Sequence, residues 1–145
     1  MPIKPEMRGF YPIDWPQLSD SIRFRRAKGR CEQCGRPHKQ LVCQLADGRW
    51  YDDEAKRWRD DKGRAVRTNL PNPFNLPSEI KARFTYVVLA CAHLDQDISN
   101  NAPTNLRALC QRCHLIHDRP HHRLSRWLTW RSTKAMGDLF TGRYR

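Results

Sequence analysis

Residues 87–122 decide the fold, and they read VVLACAHLDQDISNNAPTNLRALCQRCHLIHDRPHH. Around this stretch the residue types predict, in order, a strand from Phe84 to Cys91, a polar loop over 94–104, a short strand from Leu106 to Leu109 and a helix from about Gln111 to Asp118. Arg119-Pro120 is expected to break that helix, because proline lacks the N–H group that a helix uses. A further helix is predicted from about His121 to Met136.

Two cysteine pairs with the same spacing frame this part of the chain: Cys31 and Cys34, then Cys110 and Cys113. A spacer of two residues lets both sulfurs of a pair reach one ion, and tetrahedral zinc accepts four thiolates at ~2.3 Å. We therefore predict one structural four-cysteine zinc site that joins the N-terminal helix to the C-terminal half of the chain. Cys43 and Cys91 lack this spacing and are predicted to be small buried residues.

The overall composition indicates a polyanionic partner. The chain has 145 residues, with 27 Lys and Arg against 15 Asp and Glu, which gives a net charge of +12. Basic side chains that bind phosphates release condensed counterions, and this release favours association with nucleic acid. Only 39% of the residues are apolar, below the usual ~45–50%, so the core should be small and helped by a metal.

The sequence has no run of ~18 apolar residues and no apolar signal core near its start. We therefore expect a cytoplasmic protein with no membrane association. In that reducing compartment, the cysteines are expected to be metal ligands rather than disulfide partners.

We expect one α+β domain spanning the whole chain, with a helix near each end. Residues 1–13 carry three prolines and are predicted to form an extended arm. A helix from about Trp15 to Lys28 follows, with Asp14 as its N-cap and Gln17 completing a capping box. The segment LVCQ at 41–44 is predicted to be a short strand, with Asp47-Gly48 as a hairpin turn before Trp50-Tyr51. Residues 45–80 are predicted to form a partly irregular surface insertion, too short and too polar to bury a core of its own.

Three residues in the central stretch stand in a particular order. His93 ends the first strand, Asn105 follows twelve residues later, and His114 comes nine residues after that, directly behind the second cysteine pair. This order within a zinc-binding frame resembles the HNH endonuclease family, above all its small phage and bacterial members. The resemblance implies a ββα-metal core over 84–122 and a hydrolase that cuts DNA in a bacterial host cell.

The resemblance also implies a role for each residue. His93 would be the general base, because a neutral imidazole can take a proton from water at neutral pH. Asn105 would orient that imidazole through a hydrogen bond, or bind the metal with its amide oxygen. His114 would be a ligand of a catalytic divalent ion such as Mg²⁺ or Mn²⁺. Asp118, one helical turn further on, or His117 is expected to be a second ligand.

Ala92 departs from the commonest pattern of that family. Many members carry Asp or His directly before the general base and use it as a metal ligand, whereas this chain has alanine. Asp95 is a candidate replacement, and its alternative role is a carboxylate that caps the loop. The departure also keeps a second function open, a non-catalytic zinc-knuckle module that binds DNA with a degenerate HNH fold.

The end of the chain, residues 121–145, is predicted to be a basic helix and tail that includes Arg143 and Arg145. The candidate DNA contacts are Arg119, Arg123, Arg126, Arg131 and Lys134. A second basic cluster over residues 23–30 is expected to extend this surface. Contacts to backbone phosphate should weaken steeply with salt. A homodimer or a larger phage or bacterial assembly is compatible with these features.

Overall fold

The computed structural model describes residues 5–134, which divide after His114 into two compact units. The predicted mixed α+β class is confirmed, since both helices and antiparallel strands are present. Residues 1–4 and 135–145, with part of the predicted arm and with Arg143 and Arg145, lie outside the described residues. Between residues 5 and 134, no helix combines the length and the apolar character needed to cross a bilayer.

Helical segments open the first unit. Pro5–Phe10 is a 3-10 helix, so the prediction of an extended arm is wrong for this part of residues 1–13. Helix α1 spans Trp15–Asp20 and continues as π-helix over Ser21–Arg26. The predicted helix is therefore present over most of its length, although its second half is a π-helix, which has more residues per turn than an α-helix.

The start of α1 differs from the predicted capping box. The Asp14 side chain makes no capping hydrogen bond, and its backbone carbonyl accepts from the Leu18 N–H at 3.0 Å instead. Asp14 has φ −88° and ψ 14°, whereas a capping side chain needs the extended backbone of a true N-cap. Pro16 does occupy the first turn, as expected for a residue that has no N–H to satisfy.

A four-stranded antiparallel sheet occupies the middle of the chain. In sheet order its strands are β3 (Arg57–Arg59), β2 (Trp50–Asp52), β1 (Leu41–Leu45) and β4 (Ala82–Tyr86). The strand predicted at 41–44 and the hairpin turn before Trp50 are confirmed, and outside its strands and a 3-10 turn at Pro73–Asn75 the stretch 45–80 is irregular, as predicted. The prediction that this stretch buries no core of its own is wrong. Cross-strand pairing satisfies the backbone of this polar segment, and its few apolar residues form a small core: Cys43, Leu45 and Trp58, with Leu70, Leu76 and Ile80 packed against them.

The strand predicted from Phe84 to Cys91 is divided between two sheets. Its first half belongs to β4, while β5 (Leu89–His93) pairs antiparallel with β6 (Leu106–Cys110) in a separate hairpin. The change occurs at Val87, whose N–H donates to the Gln40 carbonyl at 2.9 Å. β-propensity predicts that a segment is extended but carries no information on which strand it pairs with.

Helix α2 follows β6 directly and spans Gln111–Lys134 with Pro120 inside it. The predicted break at Arg119-Pro120 is therefore wrong. An internal proline removes one hydrogen bond and costs ~3 kcal/mol, which a helix of this length can tolerate when its other bonds remain.

The buried residues of the first unit form a core around the hairpin. One cluster surrounds the four paired cysteines and contains Val42, Trp50, Val87, Leu89, Ala92 and Leu109. A second cluster joins α1 to the other strand of the hairpin through Ile22, Leu106 and Ala108, with Trp15 and Leu18 packed against it. Both the sheet and the first helix are thus fixed to β5 and β6.

A tight turn after β3 packs against the first cysteine pair. Gly63 has φ +83°, and a Cβ atom there would lie 2.7 Å from the carbonyl oxygen of Cys34. We expect Gly63→Ala to lower the free energy of unfolding by about 2 kcal/mol, because the backbone is strained and Cys34 must move. Urea denaturation measures this. Gly9→Ala is the matched control, because a Cβ at Gly9 meets nothing within 4 Å; an equal loss in both variants would contradict the prediction.

Candidate metal centre and histidine site

Four buried cysteines lie together where the segment that follows the first helix meets the end of the β5–β6 hairpin. The side-chain sulfurs of Cys31, Cys34, Cys110 and Cys113 all lie within 4.8 Å of one another. The predicted grouping of the two pairs is confirmed, although Cys34 and Cys110 are 76 positions apart in the chain. Four sulfur donors in one compact group match the ligand set of a tetrahedral zinc ion.

The shifted pKa values of these thiols are also consistent with a metal-binding site. A hydrogen bond with Cys113 lowers the pKa of Cys110 to about 7, and a bond with Cys110 lowers the pKa of Cys31. Hydrogen bonds with Cys110 raise the pKa values of Cys34 and Cys113. Thiols this close share protons, and a divalent ion that replaces those protons holds all four as thiolates.

Two groups donate hydrogen bonds to the sulfurs. The Cys110 N–H donates to Sγ of Cys31 at 3.3 Å, and the Arg36 guanidinium donates to Sγ of Cys34 at 3.2 Å. Arg36 is only 2% exposed, donates to the Gly48 carbonyl at 3.0 Å and lies over the Trp50 ring. A divalent ion with four thiolates carries a net charge of −2, so a buried cation beside it offsets part of that charge. Sequence reasoning missed Arg36, which no metal-ligand spacing marks.

A salt bridge fastens the first cysteine pair to β6. The Glu32 carboxylate accepts from the Ala108 N–H at 2.7 Å and from two nitrogens of Arg26 at 2.8 and 2.9 Å. The Arg26 guanidinium also donates to the Pro103 carbonyl at 2.7 Å. The two cysteine pairs are therefore held in register by protein contacts as well as by their own sulfurs.

The two remaining cysteines lie outside this cluster. Cys43 is buried in the core of the sheet, and Cys91 lies in β5 beside Ile22 and Leu106. Burial raises the pKa of the Cys91 thiol to about 11. Burial also raises the pKa of the Cys43 thiol. Cys43 is buried as predicted, whereas Cys91 is only partly buried.

His93 ends β5 in a confined position, only 8% exposed. Its ring stacks on the Trp15 indole with centroids 5.1 Å apart and planes 12° apart, and the Tyr11 ring approaches it edge-on at 6.0 Å. Its Nε2 atom lies 3.0 Å from Oδ1 of Asn101. Asn101 and the two aromatic residues are parts of this site that sequence reasoning missed.

Asn105 binds the loop rather than the imidazole. Its amide nitrogen donates to the Asp95 carboxylate and to the Asn100 carbonyl, both at 2.8 Å, and its amide oxygen accepts from the Asp95 N–H at 3.2 Å. Asp95 also accepts from the Asp97 N–H at 2.9 Å and from the Asn100 side chain at 2.7 Å. These hydrogen bonds lower the pKa of the Asp95 carboxyl. Asp95 thus caps the loop, which was one of its two predicted roles.

The other candidate ligands lie on α2. His114 is half-buried near the start of the helix, at the end of the first unit, whereas His117 and Asp118 belong to the second unit. Asp118 is buried, and its carboxylate lies 3.9 Å from Nε2 of His122. Among residues 5–134, the four cysteines are the one group of three or more His, Cys, Asp or Glu side chains with ligand atoms this close together.

The basic residues fall into two different settings. Within the first unit, the cluster over 23–30 is partly neutralised by four ion pairs: Arg23 with Asp20, Arg26 with Glu32, and Arg30 with both Glu54 and Asp52. Within the second unit, the five candidate DNA contacts on α2 are all exposed. The Arg131 guanidinium lies 5.1 Å from the centroid of the Trp127 ring, which is exposed on the same helix.

Comparisons with models of protein families, with curated proteins and with solved structures give no match to this chain. Its function must therefore be inferred from its own residues.

The cysteine cluster predicts one tightly bound zinc ion per chain. Cys110→Ser should abolish stoichiometric zinc and lower the melting temperature sharply, because a structural zinc site contributes on the order of 10 kcal/mol of folding free energy. Elemental analysis of purified protein and thermal denaturation measure the two effects. Cys91→Ser is the matched control and should keep its zinc. Equal zinc content in both variants would show that the cluster is not the binding site.

Proposed function

We propose that this protein is a metal-dependent endonuclease of the HNH type that hydrolyses DNA phosphodiester bonds, with His93 as the general base. The observation that carries the proposal is the setting of His93, a single imidazole held rigidly at the end of a β-hairpin. The hairpin is followed directly by a helix and is stapled by four cysteines. This is the order of elements in the ββα-metal nucleases that the sequence resembles.

His93 would act on the attacking water. As the water oxygen bonds to phosphorus, its proton passes to the imidazole and the bond from phosphorus to the 3′ oxygen breaks. The products would carry a 5′-phosphate and a 3′-hydroxyl group. Stacking on Trp15 limits the positions that the ring can adopt, which favours catalysis because a general base must lie within hydrogen-bonding distance of the water.

A divalent ion such as Mg²⁺ or Mn²⁺ would stabilise the charge that develops on the phosphate and the leaving oxygen. Within the first unit, His114 and Asp95 are the candidate ligands, and Asp95 would bind the ion in addition to capping its loop; within the second unit, the candidates are His117 and Asp118. Mg²⁺ keeps several waters and is usually held by one or two protein groups together with substrate phosphates. A complete cage of protein ligands is therefore not required for this proposal.

Helix α2 is the proposed DNA-binding element. Arg119, Arg123 and Arg126 follow one another at spacings of four and three residues and therefore share a face of the helix. Lys134 lies eight positions beyond Arg126 near the same face, and the interval from Arg119 to Lys134 is ~22 Å long at the helical rise. A basic row of this length fits contacts with several backbone phosphates.

A second candidate function is a zinc-stabilised module that binds DNA without cutting it. Two observations favour it: Ala92 stands where related nucleases carry a ligand, and the cysteines are the one compact ligand group among the described residues. This module would bind DNA in a salt-sensitive way, hold one zinc ion, and bind no second, weaker ion.

The nuclease proposal predicts nicking of plasmid DNA by the zinc-loaded protein with added Mg²⁺ or Mn²⁺. His93→Ala should reduce kcat by about 100-fold or more, because it removes the general base. Agarose gel assays under single-turnover conditions measure the rate. Asn69→Ala, at an exposed position outside α2 and the histidine site, is the control and should retain activity.

His93→Gln guards against a folding defect, since it keeps a polar side chain at the site but cannot accept the proton in the same way. Zinc content and melting temperature should match the wild type. Equal nicking by wild type and both His93 variants would remove His93 from the mechanism. If the wild type binds DNA but does not nick it at any concentration of the divalent ion, the binding module is favoured instead.

The basic face of α2 gives a separate prediction about binding. Replacing Arg119, Arg123 and Arg126 with Gln should weaken DNA binding and reduce the slope of log K against log salt by about 3, close to one unit for each lost phosphate contact. Fluorescence anisotropy with a labelled duplex measures the slope. The matched control replaces three exposed cations in loops of the first unit, Lys62, Arg67 and Lys81, and should leave the slope nearly unchanged. Equal slopes for the two triple variants would exclude α2 as the main contact.

A further inference from the structure

The orientation of the Asn101 side chain is fixed by its own loop. Its amide nitrogen donates to the Ser99 carbonyl at 3.2 Å and to the Ile98 carbonyl at 3.4 Å. With both carbonyls on the nitrogen side, the amide oxygen is the atom that faces His93, at 3.0 Å from Nε2. Exchanging the oxygen and nitrogen would place an amide N–H₂ group against the ring and an oxygen against two carbonyl oxygens.

This arrangement determines which ring nitrogen of His93 carries the proton. An amide oxygen only accepts hydrogen bonds, so Nε2 must be the donor and must carry a hydrogen. In the neutral imidazole, Nδ1 then has the free lone pair. We infer that Asn101 is a positioning residue that holds His93 in the Nε2–H tautomer and thereby makes Nδ1 the atom that takes the proton from water. The catalytic part of this inference rests on the proposed nuclease function.

The aromatic neighbours complete the restraint. The Trp15 indole covers one face of the imidazole, and the edge-on Tyr11 ring lies 4.9 Å from Trp15 as well as against His93. A ring flip of His93 would exchange Nε2 and its neighbouring carbon at the Asn101 oxygen and lose that hydrogen bond. The stack therefore fixes the ring plane, while Asn101 fixes the tautomer.

Asn105 acts one step further from the chemistry. Its hydrogen bonds to Asp95 and to the Asn100 carbonyl close the loop that carries Asn101. The side chain of Asn100 donates to the Asp95 carboxylate at 2.7 Å and strengthens the same closure. The imidazole contact that was predicted for Asn105 is thus made by Asn101, whereas Asn105 shapes the loop.

Long-range ¹H–¹⁵N correlation spectra of the zinc-loaded, histidine-labelled protein test the inference without any assay of cleavage. With the imidazole in its neutral form, wild-type His93 should show a protonated Nε2 and an unprotonated Nδ1. Asn101→Ala should yield a mixture of both tautomers. Asn101→Asp keeps an oxygen acceptor for Nε2 but loses the hydrogen bonds to the Ser99 and Ile98 carbonyls, so it should restore the Nε2–H form in part. Asn69→Ala, at an exposed asparagine on another segment, is the control and should leave the His93 signals unchanged.

The kinetic arm uses the same variants in the plasmid assay. Asn101→Ala should lower kcat about 10- to 100-fold, with little change in KM for DNA, and Asn101→Asp should recover part of that loss. Wild-type His93 protonated on Nδ1 would overturn the inference. So would an unchanged tautomer in Asn101→Ala, or a changed tautomer with unchanged kcat. If no variant cleaves DNA but the tautomer follows Asn101 as expected, the positioning role stands and the nuclease proposal fails.

Discussion

The whole first unit depends on the convergence of four sulfur atoms that the chain supplies from two distant places. Cys31 and Cys34 follow α1, whereas Cys110 and Cys113 lie at the end of the hairpin and the start of α2. A bound ion at this point closes a loop that contains the complete four-stranded sheet. Such closure restricts the unfolded chain and offsets a small apolar core. The surrounding protein supports the same cluster: Glu32 binds β6 through the Ala108 N–H, and the buried Arg36 guanidinium donates to Sγ of Cys34.

The features that the sequence predicts well are those with a local signature. Paired cysteines, the helix that begins at Trp15, and the hairpin strand ending at His93 can all be read from residue type and spacing. Within the sheet over 41–86, β1 and its hairpin with β2 can be read from residue type and the Asp-Gly turn. The short, charged β3 and the pairing of β1 with the distant β4 cannot. Pro120 gives the opposite error. Proline locally favours a helix break, but the remaining hydrogen bonds of the long helix α2 keep it continuous through Pro120.

The histidine site shows the same limit at the level of side chains. His93 was identified from its place in a motif, yet nothing in the sequence distinguishes Asn101 from Asn100 or Asn105 as its hydrogen-bond partner. That choice depends on the path of a polar loop, which is set by several side-chain to backbone hydrogen bonds. Trp15 lies 78 positions before His93, and a contact at that separation leaves no periodic signal. The residues that refine a site are therefore harder to predict than the residue at its centre.

The distance along the chain between the two cysteine pairs has a consequence for the order of biosynthesis. During translation, the first pair emerges long before the second, and the α1 residues have no hairpin to pack against until β6 has been made. The sheet strands β1 to β4 lie between the two pairs and can associate in that interval. The four-cysteine cluster must then form late and all at once, so nascent chains shorter than about the first 113 residues should expose their thiols to solvent or to chaperones.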